Sequence, residues 1–227
     1  MKKKIKYIYS VFFICVLLSF IVPLVDLFVL KISLSLIQKM IIVLIQMLSI
    51  IGFAYFYFNH QNQEKKRKGK KIVCWILFLI YCFDLIYVLF LDPDFGRQTL
   101  TKNLSFEEYW QYSVNLDLFE TIQLFIHGYQ NNIVSLETLL RNLLGNFVVF
   151  MPMAYFLPTL FIKLNRFQWF LCVMFMMISI VEILQVVLRI GSGDIDDLFL
   201  NLLGCLLLYW VLKVISFYKE KKVAERK

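Results

Sequence analysis

Residues 167–190 read FQWFLCVMFMMISIVEILQVVLRI, and this stretch decides the fold. Its only charged side chains are Glu182 and Arg189, and it exceeds the roughly 20 apolar residues that carry an α-helix across about 30 Å of hydrocarbon. Working outward, residues 7–30, 40–58, 72–91, 139–162 and 198–217 have the same character. The whole chain is 60% hydrophobic with a mean hydropathy of +0.72, far from soluble usage, so its 227 residues count membrane spans rather than soluble domains. The expectation is an all-α protein: a polytopic membrane helix bundle of about six transmembrane helices, in contact with the lipid bilayer. Pro23 and Asp26 weaken the end of the first span, which would leave part of residues 24–39 along the interface.

Orientation follows from the basic residues. Lys2, Lys3, Lys4 and Lys6, then Lys65 to Lys71, then Lys163 and Arg166, then Lys219, Lys221, Lys222, Arg226 and Lys227 all fall on one side of an alternating chain. That side is read as cytoplasmic, with both termini inside. The other side collects Asp92, Asp94, Glu107, Glu108, Asp117, Glu120, Glu137, Asp194, Asp196 and Asp197. The N-terminal lysines resemble a secretory signal, but the apolar run is too long and no small-residue cleavage site follows, so an uncleaved first span is expected.

A net charge of +8 raises the question of nucleic acid, yet the basic residues form short clusters between apolar runs rather than one amphipathic face, so no nucleic acid is expected as a partner. The five cysteines all lie inside apolar runs, with no paired Cys/His spacing, which argues against a disulfide or zinc site. No dinucleotide or phosphate-binding glycine motif occurs either, and neither cofactor nor metal is expected. Three parts are read along the chain: residues 1–71, two spans and a basic cytoplasmic linker; residues 72–217, a membrane domain; and residues 218–227, a basic cytoplasmic tail.

The membrane domain includes a long outer segment, residues 92–138, too polar to cross. Ser105 with Glu108, and Asp117 with Glu120, have capping-box spacing, so short helices are expected to begin at each. From Leu118 to Tyr129 apolar residues recur at helical spacing, predicting an amphipathic helix on the membrane surface or capping the bundle.

Polar side chains inside apolar helices are costly in lipid and usually face the bundle interior or water. Asn142 and Asn146 are four apart beside Gly145, Glu182, Gln185 and Arg189 are spaced i, i+3, i+7, and Asp197, Asn201 and Gly204 are spaced i, i+4, i+7. At about 1.5 Å per residue, Asn146, Glu182 and Asn201 all lie within roughly 12 Å of the outer ends of their spans. Asp84 lies at a similar depth in the third span, and the loop containing Asp194, Asp196 and Asp197 would close over the patch. Structural readings stand beside the functional one. Glu182 could pair with Arg189 or Arg141, the asparagines could join helices, and the aspartates could cap the sixth helix.

The ordered set Asn142-Leu-Leu-Gly145-Asn146, Phe150-Met-Pro152, Glu182-Ile-Leu-Gln185 and Asp194-Ile-Asp196-Asp197-Leu-Phe-Leu-Asn201-Leu-Leu-Gly204 resembles the VanZ-like family. Asn115-Leu-Asp-Leu-Phe119-Glu-Thr121-Ile122 is similar to that family's upstream element, with Leu118 in place of its proline. Gly191 stands where the family usually has an Arg, and Arg189 is the candidate substitute. The resemblance implies a multi-pass protein of the bacterial cell membrane, in the cell envelope of a Gram-positive bacterium. It further implies a link to antibiotic resistance, because the family's namesake is associated with low-level resistance to the glycopeptide teicoplanin.

Two functions remain open at this level. One is an envelope factor that binds an amphiphile, a lipid-linked cell-wall precursor, a glycopeptide or a partner protein at an outer-face polar pocket made of Asn142, Asn146, Glu182, Gln185, Arg189, Asp194, Asp196, Asp197 and Asn201. The other is a membrane enzyme acting on a lipid-linked phosphate or acyl group, with Glu182 as base and the aspartates holding a cation. A transporter is disfavoured because the polar groups crowd toward one face rather than the midplane.

Overall fold

The computed structural model describes residues 36–59, 62–91 and 105–225, together with Ile14. The expected first span lies outside the described residues apart from Ile14, as do residues 92–104 of the outer segment. Among the described residues four helical stretches are long and apolar enough to cross a membrane: Gln63–Leu91, Leu136–Leu160, Phe167–Val187 and Ile195–Ala224. A shorter apolar helical stretch, Leu44–Tyr55, falls on the expected second span. The chain forms two compact units, Met1–Asp94 and Phe95–Lys227.

In the first unit, helices α1 (Leu36–Asn59) and α2 (Gln63–Ile86) pack together, and a π-helical turn, Tyr87–Leu91, extends α2. The basic residues Lys65 to Lys71, ahead of the span expected from residue 72, form the first turns of α2. Asn62 starts the helix by accepting a hydrogen bond from the Lys65 N–H at 3.2 Å, and Lys, Arg and Glu all favour helix. Gln46 is buried in this unit with its Nε2 unbonded, and Asp84, in α2, has a buried Oδ2 without a hydrogen bond.

The second unit contains α3 (Phe106–Ser113), β1 (Val114–Asn115), α4 (Glu120–Gln130), α5 (Leu136–Val149), α6 (Met153–Leu160), a 3₁₀ turn (Ile162–Asn165), α7 (Phe167–Val187), β2 (Gly193–Asp194) and α8 (Ile195–Ala224). Helix α8 is the central element and packs on α5, α6 and α7. One stripe of α7 explains why: Phe170, Met174 and Ile178 are fully buried at four-residue spacing, and Phe170 stacks on Tyr209 of α8 at 4.5 Å. Lipid tails are as apolar as these side chains, so close packing rather than release from water holds such an interface together. Gly204 allows the closest approach, because a Cβ there would sit 1.8 Å from the Phe147 carbonyl oxygen.

The fourth span, expected to run unbroken over residues 139–162, is interrupted at residues 150–152. Pro152 has no N–H to give the Val148 carbonyl, which accepts from Met151 instead at 3.1 Å. The Phe150 carbonyl, next to the break, accepts the Cys205 thiol at 3.0 Å. Only a proline marked this interruption in the sequence, and the apolar run continues through it.

Candidate functional site

The polar cluster forms where α7 turns into α8 and the segment from α3 to α4 folds against that turn. Asp194 is the N-cap of α8, its carboxylate accepting the Asp196 N–H at 2.9 Å. Asp194 to Asp197 therefore sit at the positive end of a long helix, where carboxylates are stabilised. The structural reading of this run as a cap is thus realised.

Asp196, fully buried, does something local sequence does not announce. Its Oδ1 accepts the Phe119 N–H at 2.5 Å and its Oδ2 accepts the Ile122 N–H at 3.0 Å. It caps α4 from 77 residues away. Helix α4 has no side-chain cap of its own: the expected start at Asp117 is displaced to Phe119, held in the left-handed region at φ 70°. The Phe119 ring packs edge-on against Phe199, 5.4 Å away, and this contact with the two charge-assisted hydrogen bonds holds the strained residue. The other predicted capping box is present, with the Ser105 hydroxyl accepting from the Glu108 N–H and the Glu108 carboxylate accepting from Ser105. Bonds to that carboxylate from the Ser105 backbone N–H and the Ser105 hydroxyl hold the Glu108 carboxyl below its ordinary pKa.

Further bonds fasten the segment. Val114 and Asn115 pair in parallel with Gly193 and Asp194, and the buried Tyr109 hydroxyl donates to the Gly191 carbonyl. Asn115 donates to the Thr121 hydroxyl at 3.0 Å, and Thr121 in turn hydrogen-bonds Asp194. Burial pushes the Asp194 carboxyl above its ordinary pKa, against the pull of the Thr121 bond. Tyr109 was missed from sequence because one tyrosine in a polar segment carries no spacing signal. Asn115 and Thr121 lay within the upstream family element but were not singled out.

Beneath this fastening, Asp197 is the hub. Its carboxylate accepts from the Asn146 side chain of α5, and its carbonyl accepts from the Asn201 side chain at 2.8 Å. Glu182 continues the buried stripe of Phe170, Met174 and Ile178 and brings its carboxyl to the Asp194 backbone N–H, with the Asp197 and Asp194 carboxyl groups as its electrostatic neighbours. Two acceptors here are buried without a partner: Glu182 Oε2 and Asn201 Oδ1, the latter on a residue only 2% exposed.

Asn146, Glu182, Asp194, Asp197 and Asn201 therefore come together, while other expected members do not join them. Asn142 turns back to the Thr138 carbonyl at 2.8 Å. Helix α7 ends at Val187, so Arg189 leaves the face it would share with Glu182; at φ 53° it closes the helix, its guanidinium 5.7 Å from the Phe106 ring centre and 5.9 Å from that of Tyr109. Arg141 pairs with Glu137 at 2.7 Å. Gln185 lies beside the loop, its side chain against Gly191. Asp196 is committed to α4.

Apolar helices of spanning length, three of them in the second unit with its carboxylate-rich cluster, define a multi-pass membrane protein. The chain belongs to the VanZ/LLP1 family, whose model matches residues 78–216. No curated protein and no solved structure matches it.

Proposed function

We propose that this protein is a bacterial cell-envelope factor whose basic clusters face the cytoplasm and whose Asp197-centred cluster lies under the outer membrane surface, where it binds the head of an amphiphile or cell-wall precursor. Through that binding it contributes to glycopeptide resistance. The observation that carries the reading is the bond from Asn146 to Asp197 beside Glu182, which draws three helices together around buried acceptors. Hydrogen-bonding capacity left open at head-group depth suits a molecule with an apolar tail and a polar head. Residues 1–71 would supply two membrane-spanning helices and a basic cytoplasmic linker, and residues 218–227 a cytoplasmic tail.

Deletion of the gene should lower teicoplanin tolerance, and a plasmid copy carrying Glu182→Ala should fail to restore it while reaching the membrane at wild-type levels. Unchanged susceptibility across growth conditions removes the resistance role. A second reading, an enzyme with Glu182 as general base, draws on the open Oε2 of that carboxyl. Turnover of a lipid-linked phosphate by purified protein, lost in Glu182→Gln, would favour it.

A further inference from the structure

Glu182 Oε2 and Asn201 Oδ1 are closed to solvent in this conformation, and Asp196 and Asn201 are buried whole. A head group that reaches them has to displace part of the protein first. The spanning helices are held too closely to give way. Phe170, Met174 and Ile178 of α7 are fully buried, Phe170 stacks on Tyr209 of α8, and Gly204 already brings α8 against the Phe147 backbone of α5. Interiors packed in this way resist separation.

Residues 114–122 are attached differently. No side chain from Val114 to Ile122 is buried, and Leu116 and Leu118 are exposed, as is the Phe119 ring that rests edge-on against Phe199. Polar bonds hold the stretch down: the two-residue pairing of β1 with β2, the Phe119 and Ile122 N–H groups on Asp196, and Thr121 on Asp194. Segments with few buried apolar contacts open at a lower free energy than the core around them. The left-handed backbone of Phe119, at φ 70°, adds strain that is relieved when the first turn of α4 lets go. Both flanks are anchored, by the buried Tyr109 of α3 and by the packing of α4 on α5. Asp194 joins the stretch to the cluster, because it pairs with Asn115, its side chain meets Thr121 and its N–H meets the Glu182 carboxyl. Lifting the stretch therefore loosens the residue bonded to Glu182.

Within the amphiphile-binding reading, on which this rests, we propose that residues 114–122 are a clasp between the anchors α3 and α4, which releases Asp194 and Asp196 to admit the head group and refastens behind it. Motions of this kind gate many binding sites whose walls are rigid.

The test uses the full chain in phosphatidylcholine nanodiscs, with Cys205→Ser, the other four native cysteines changed to Ala, and Asn201→Cys as the reporter. Trimethylammonioethyl methanethiosulfonate reaches the protein from water, and dodecyl methanethiosulfonate reaches it from the lipid. The soluble reagent is expected to modify the reporter slowly, and Asp196→Ala should speed that reaction roughly tenfold. The same substitution should leave unchanged a second reporter, Ile178→Cys, placed in the buried stripe of α7. Equal acceleration at both reporters means general loosening and overturns the clasp. Reaction only after Asp196→Ala, with none in its absence, makes the stretch a permanent cover and also overturns it. Modification by the dodecyl reagent alone, at a rate that Asp196→Ala does not change, puts the entrance on the lipid side; that overturns the clasp and leaves the amphiphile reading standing. A reporter that neither reagent modifies in any variant marks a sealed cluster and overturns both. If a variant fails to fold, hydrogen exchange of the unsubstituted chain decides. The amides of residues 119 and 122 should exchange together, roughly tenfold faster than those of residues 125–130. One common rate over residues 119–130 overturns the clasp.

Discussion

The two ends of the second unit are built alike and finished differently. At one end, Tyr209 donates to the Asn165 carbonyl at 2.7 Å, Lys213 donates to the Asn165 side chain at 3.0 Å, and the Lys213 ammonium lies 5.3 Å from the Tyr209 ring centre. There, helix α8 is tied to the turn before α7 by side chains with named partners. At the other end α8 is tied to α4, α5 and α7 by Asp194, Asp196 and Asp197, yet Glu182 and Asn201 each keep a buried oxygen unbonded. Buried polar groups in native proteins are normally satisfied, because an open one loses its hydration without return. A network completed at one end and left open at the other, on the same helices, sets the fastening groups apart from the open acceptors.

Four substitutions test that separation. The largest effect is expected from Gly204→Ala, which lies between the two ends: the new Cβ meets the Phe147 backbone rather than a yielding side chain, so α8 must shift from α5. A loss of ~3 kcal/mol of stability is expected, read as a lower thermal transition in detergent. If the transition is unmoved, the close approach does not set the position of α8. Asp196→Ala comes next. It strips two charge-assisted bonds from the start of α4, for a loss of about 2 kcal/mol, with faster hydrogen exchange over residues 119–125 and little change within α7. Uniform loosening would mean that Asp196 supports the whole unit rather than the α4 cap.

Tyr209→Phe removes one bond from the completed end and should lower stability by ~1 kcal/mol with no change in ligand binding. Asn201→Leu should be nearly neutral in stability, since the open buried acceptor disappears along with the weak bond to Asp197, while binding weakens. A strong destabilisation by Asn201→Leu would place that residue with the fastening groups and dissolve the contrast.

What the sequence disclosed follows from what periodicity can report. Glu182, Asn146, Asp197 and Asn201 were legible because a polar residue in an apolar run has few places to go except inward, and helical spacing assigns its face. The capping box at Ser105 was legible because both partners lie within one turn. Arg189 was misplaced because its spacing from Glu182 assumes that the helix continues, whereas α7 ends two residues before it in a left-handed turn that no glycine advertises. The capping of α4 by Asp196 was invisible for the opposite reason: donor and acceptor are 77 positions apart, and only the folded chain brings them together. The interruption at Pro152 was announced by its residue type, but the apolar character on both sides concealed it.

That long-range cap also bears on how the chain is assembled. Synthesis proceeds from the N-terminus, so α4 emerges well before the carboxylate that completes its first turn. The residues around Phe119 have a local turn and the Asn115–Thr121 bond, but no side-chain cap of their own. The closure of this end therefore waits on helix α8, which makes the first turn of α4 a later event in assembly than the emergence of its own residues.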